Sequence, residues 1–185
     1  MSGGIEWAAA YAEGLLGPLG DRWGRHTAGV AERARRVAAV VSESERDVLV
    51  ASAYLHDIGY APSLAVTGCH ALDGARHLRD LGHDRLAGLV AYHSGSRFEA
   101  ELRGLAEELA AFADEDSALT RLLTYCDMTT GPSGEAFTLD ERLAEVERRY
   151  GSDHVVTRSL CYAARPWLEE CIAWTEAALR RTEPQ

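Results

Sequence analysis

Apolar positions recur every three or four residues along almost the whole chain, the rhythm of helices that bury one face. Residues 5–16 carry Ile5, Ala8, Tyr11 and Leu15 on such a stripe, and Gly17-Pro18 stops it. A helix from about 25 to 42 follows, its inward positions reading His26, Val30, Ala34, Val37 and Val41. Residues 45–58 give a third, with Val48, Ala51, Leu55 and Ile58 inward and His56-Asp57 in the last turn. Further helices are expected over about 70–81, 83–94, 99–113 and 117–128, the last with Asp127 beside Cys126 near its end. Gly82 separates the first two of these, and the acidic run "ADEDS" reads as a solvated turn that opens the helix after it. "TTGPSGEAF" is a loop by composition, and two or three closing helices, about 138–150, 153–164 and 166–181, follow. Pro166 suits a first helical turn. No stretch alternates with period two, and no repeat is present. The pattern predicts an all-α protein.

At 185 residues the chain suffices for one domain with a sizeable core. The formal charge of −10 argues against a nucleic-acid duplex or an anionic membrane as partner. It leaves room for a small anion, because a metal ion and a few arginines can make a local positive site. All 19 basic residues are Arg, so no lysine can serve as base, Schiff-base former or phosphate clamp. The four cysteines show no C-x-x-C spacing, and there is neither a signal-type N-terminus nor an apolar run near 18 residues. A reducing cytoplasm is the expected setting.

Against this background, four positions put a His or an Asp on or at the end of an apolar face: His26, His56-Asp57, His93 and Asp127. Burying such groups without partners costs about 1–3 kcal/mol each, and convergence on one cation would satisfy them together. Imidazoles combined with carboxylates suit a divalent transition metal. The His-Asp pair alone is weak evidence, since seven His and eleven Asp give roughly 0.4 such pairs by chance. A second pair, His83-Asp84, follows Gly82 and opens a helix, where an acid complements the helix dipole. It reads as a decoy.

The series His26, His56-Asp57, Asp127 resembles the H…HD…D signature of the HD-domain metal-dependent phosphohydrolases. It is carried by "RHTAGVAERARRVAAV", "ASAYLHDIGY" and "LLTYCDMTTG" over roughly residues 22–130. The resemblance implies a helical bundle with a metal at its centre, held by His26, His56, Asp57 and Asp127, and residues 131–185 as a helical extension within a single domain. "GCHALDGARHLRDLG" and "VAYHSGS" resemble segments that, in some subfamilies, add two histidines and a second metal bridged by the HD aspartate. Here those would be His70 and His93, with His77 as a rival to His70.

The implied activity is hydrolysis of a nucleotide or another small phosphorylated metabolite by metal-activated water, with Asp57 and His93 as catalytic candidates. Arg22, Arg25 and Arg97 are candidates for binding the phosphate, and Thr129 and Thr130 could offer hydroxyls at the mouth. One or two divalent ions are expected, with Fe, Mn, Mg, Co, Ni and Zn not distinguished. Two other classes stay open: a di-iron oxygenase cleaving a C–C or C–P bond, and a non-catalytic ligand sensor. The Trp-bearing closing helices suit a lid or a homodimer interface equally.

Overall fold

The computed structural model describes residues 4–182, and among these there is no strand, only an isolated bridge between Thr130 and Ala136. Helices α1 (Ile5–Leu16), α2 (Asp21–Val37), α3 (Glu43–Leu55), α4 (His70–Asp80), α5 (Asp84–Tyr92), α6 (Ser96–Arg103), α7 (Ala106–Leu109) and α8 (Ala118–Met128) form the first two thirds. Then come α9 (Leu139–Tyr150), the short α10 (Val155–Thr157) running into a π-helical segment at Arg158–Ala163, and α11 (Arg165–Thr182). The protein is an all-α bundle.

Three apolar clusters hold it together. Leu16, Leu55, Ile58, Leu72, Leu78 and Val90 join α1, α3, α4 and α5. Val30, Val37, Leu49, Leu89, Leu122 and Leu123 join α2, α3, α5 and α8. The third, with Met128, Leu143, Val146 and Leu168, ties α9 and the start of α11 to the end of α8. Trp174 of α11 packs against the second cluster, so the last helix lies along α8 rather than apart from it. Asp127 stands beside Met128, at the seam between the second and third clusters.

The structure corrects several sequence-derived boundaries. The helix expected over 99–113 breaks at Gly104, which takes a left-handed φ of 73° as the cap of α6. The helix expected over 153–164 is one α-turn followed by the π-helical segment. The second helix begins at Asp21, one turn earlier than expected. Most consequentially, α3 ends at Leu55, so His56 and Asp57 lie beyond its last residue. On a continuing helix, successive side chains would diverge by about 100°. Asp57 instead takes φ −101°, ψ 3°, and a 3-10 turn over Ile58–Tyr60 carries the chain away. Ending the helix there is what turns both side chains to one side.

Candidate metal centre

Each candidate ligand sits at the end of, or on, a helix whose other inward residues are apolar. The cores therefore hold the backbone, and local hydrogen bonds set the rings. His56 Nδ1 is 2.7 Å from the carbonyl of Ala53, His93 Nδ1 is 2.6 Å from that of Val90, and His26 Nδ1 is 3.1 Å from that of Gly131. A carbonyl only accepts, so each Nδ1 carries the proton and donates it. In the neutral ring this leaves every Nε2 as a lone pair. The three lone pairs face inward: the His26 and His56 ring centroids are 5.5 Å apart, and those of His56 and His93 are 5.3 Å apart.

The carboxylates meet them there. Asp57 Oδ2 lies 3.5 Å from His56 Nε2 and 3.8 Å from His26 Nε2, while its Oδ1 lies 3.4 Å from His70 Nε2. Asp127 Oδ1 lies 3.2 Å from His26 Nε2 and 3.8 Å from His56 Nε2. His70 Nε2 is in turn 3.3 Å from His93 Nε2. Two groups of donor atoms thus lie within ligating reach, His26-His56-Asp57 and Asp57-His70-His93, and they share Asp57. Asp127 adds its Oδ1 to the first.

The donor chemistry fits a divalent cation. His56 Nε2 is fully buried with no hydrogen-bond partner, an orphan flanked by carboxylate oxygens and another imidazole. Lone pairs facing carboxylates repel unless a cation stands between them, and imidazole with carboxylate suits Zn, Fe, Mn, Co or Ni. Burial drives the His70 pKa down to about 3 and lowers that of His93, so both rings are neutral and ready to ligate at physiological pH. Burial pushes the Asp57 carboxyl up, but His56, His70 and His26 outweigh it and the net direction is down. At Asp127, burial is outweighed by the adjacent His26, His56 and Arg142, which hold the carboxyl well below the usual range. Both stay ionised.

Close packing keeps the two groups in register. A Cβ on Gly59 would stand 1.9 Å from the carbonyl oxygen of His70 and 2.7 Å from the Gly74 nitrogen. Only glycine lets the turn after Asp57 lie against the start of α4, and that contact brings His70 to Asp57. The Tyr60 ring then stacks on His70 at 4.2 Å between centroids. On the far side Ser94, next to His93, takes a left-handed φ of 50°. Its hydroxyl donates to Asp127 Oδ2 and its N–H to Thr124 Oγ1, leaving Asp127 Oδ1 to face the histidines.

A cavity of about 50 Å³ opens over this cluster, lined by His26, Asp57, His70, His93 and Asp127 from below. Arg22 lines it as well, whereas Arg25 and Arg97 do not. Arg25 is exposed and lines a separate groove beside α1, and Arg97 lies over the rings of Phe98 and Trp167. The Thr129 and Thr130 hydroxyls donate to the carbonyls of Tyr125 and Cys126, closing the end of α8. His83 packs on Trp7 and Asp84 opens α5, while His77 meets the Tyr11 hydroxyl at 2.6 Å, all outside the cavity. The sequence reading did not single out Ser94, Tyr60, Glu99, Arg142 or Arg149, which also line the cavity or abut its ligands. For the α9 pair a signal existed: Arg142, Glu145 and Arg149 fall at i, i+3 and i+7, one face of an amphipathic helix.

The family model described as the HD domain matches residues 23–130, more than half of the chain and the stretch that carries all six candidate ligands. No curated protein and no solved structure matches the chain.

Proposed function

Because the chain belongs to the HD-domain family, we propose that it is a metal-dependent phosphohydrolase acting on a small phosphorylated metabolite. The observation that carries the reading is the division of Asp57, whose two oxygens turn to two separate histidine groups beside the partnerless Nε2 of His56. That favours a pair of ions, one held by His26, His56, Asp57 and Asp127 and the other by Asp57, His70 and His93. Bound divalent ions act as Lewis acids and lower the pKa of water from ~15.7 towards ~7.

The chain's own residues do the rest. The backbone carbonyls of Ala53, Val90 and Gly131 hold the rings so that no reorientation is needed when ligands bind. Ser94 fixes the rotamer of Asp127. The small cavity limits the water that can reach a bound phosphoryl group, and Arg22 and Arg142 bring positive charge to its oxygens. In the overall reaction a water oxygen bonds to phosphorus, the ester oxygen leaves, and that oxygen takes up a proton. The four free, buried cysteines accord with a reducing compartment, and we place the chain in the cytoplasm.

The test is metal analysis of the purified protein combined with a screen of phosphomonoesters for phosphate release. Two transition-metal ions per chain and phosphate release lost on chelation support the proposal. Oxygen uptake with a di-iron spectrum and no phosphate release would replace it with the oxygenase reading.

A further inference from the structure

α9 lies outside the stretch matched by the family model, yet it reaches over the cavity. We propose that Arg142 and Arg149 of α9, with Arg22 of α2 facing them, form an oxyanion subsite that selects a compact phosphomonoester over a nucleotide. This rests on the phosphohydrolase reading and deepens it.

Arg142 is only 9% exposed, and its donors are unevenly used. Nη1 donates to Glu145 at 2.6 Å, Nη2 is 3.5 Å from Asp127 Oδ1, and Nε is buried without a partner. Nε–H and one Nη2–H lie parallel on a single edge of a guanidinium, the edge that matches two oxygens of a phosphate. In Arg142 that edge holds one long contact and one orphan. A buried cation does not remain so without cost, and a phosphoryl group in the cavity supplies the acceptor that Nε lacks and a closer one for Nη2.

Glu145 organises the rest. It accepts from Arg142 and, at 2.9 Å, from Nε of Arg149, so one carboxylate orients two guanidinium groups on the same helix face. Arg22 joins the lining from α2, its guanidinium 5.6 Å from the Trp23 ring. It makes no ion pair among the described residues, and burial followed by the nearby Arg149 charge lowers its pKa. Three arginines against Glu145, with the lining Glu99 already paired to Arg103, leave a positive roof above the ligand cluster.

Size sets the selectivity. About 50 Å³ corresponds to roughly three or four waters. That is room for a phosphoryl group, so the rest of an ester has to extend out of the mouth, where a nucleoside gains no enclosure.

The test uses the full metal-loaded chain, with equal metal content verified in every variant. Inorganic phosphate is titrated by calorimetry and by tryptophan fluorescence, for which Trp23 in the cavity wall is a reporter. Arg142→Gln and Arg22→Gln should each weaken phosphate binding by about tenfold or more. Arg142→Lys should fall well short of wild type, because charge without the fork does not restore the pair of bonds. Arg22→Gln carries the test if loss of buried Arg142 impairs folding. With esters, glycerol phosphate should be cleaved with a higher kcat/KM than AMP, and Arg22→Gln should raise KM more than it lowers kcat. Wild-type phosphate affinity in both Gln variants, or preference for AMP, overturns the proposal. Arginine-dependent phosphate binding without hydrolysis of either ester would uphold the subsite and refute the phosphohydrolase reading.

Discussion

Gly59→Ala separates the two halves of the proposed metal centre. The new Cβ would stand 1.9 Å from the His70 carbonyl oxygen, where real contacts are no closer than 3.0 Å, and 2.7 Å from the Gly74 nitrogen. Both obstacles are backbone, so the start of α4 must retreat from the turn by about 1 Å. His70 travels with α4. Its Nε2 then leaves the 3.4 Å approach to Asp57 Oδ1, while His26 on α2, His56 just past the end of α3 and Asp127 on α8 are untouched. Overpacking of this kind costs about 1–3 kcal/mol, and for a chain of this length each kcal/mol lowers Tm by about 2–4 °C. Metal content, measured by mass spectrometry on dialysed protein, should drop from two ions per chain to one, with chemical denaturation reporting the stability loss. Gly14→Ala is the control. Gly14 lies within α1 with nothing near its absent Cβ, so the substitution should leave metal content alone and stabilise by about 0.5–1 kcal/mol. Two tightly bound ions in Gly59→Ala at wild-type stability would refute the claim that this contact positions His70.

Other outcomes follow from the same geometry. His56→Ala should abolish binding at the first ion position while circular dichroism stays helical, whereas His83→Ala and Asp84→Ala should leave metal content unchanged. Ser94→Ala should weaken metal affinity by about 10–100-fold, because Asp127 loses the donor that fixes it; an unchanged dissociation constant would contradict that role. For the metal-free protein, the folded-state pKa of His70 lies near 3, below the ordinary 6.5, and that of His93 is also lowered. The unfolded chain therefore binds more protons than the folded one as pH falls below 6.5. Stability should decline down to about pH 3, by at most about 1.4 kcal/mol per pH unit for each histidine. Urea denaturation across that range measures it, and a flat profile between pH 6.5 and 4 would count against neutral buried rings. Thr138→Ala should cost about 1 kcal/mol by removing the capping box with Glu141, without affecting metal binding.

The spacing of apolar residues foretold most of the helices because each buries a single stripe, and the helix ends marked by Gly17-Pro18 and Gly82 fell where expected. Gly59 followed by Pro62 marked a sharp turn at His56-Asp57, but the helix was expected to run to 58 and its earlier end was not legible. The ending of α3 before His56 depends on the turn packing against α4 through Gly59 and Gly74, residues whose closeness no local pattern reveals. Five His and Asp residues stood out in the sequence because polar groups on apolar faces need partners, His70 came only through the family resemblance, and the structure brings all six together. The arginines were harder to place. Arg25 precedes His26 by one residue, yet a helix turns about 100° per residue, so it points away from the ring it adjoins. Arg97 follows His93 closely but is drawn to Trp167. Arg142 lies more than a hundred residues from His26 and reaches the site only because Met128, Leu143 and Val146 share one core.

The central claim is that Asp57 is shared by two ions. Metal per chain in wild type and Asp57→Ala, measured side by side after loading with manganese and dialysis, tests it most directly. Two ions in wild type and none retained in the variant are expected. Equal metal content in the two proteins would contradict it.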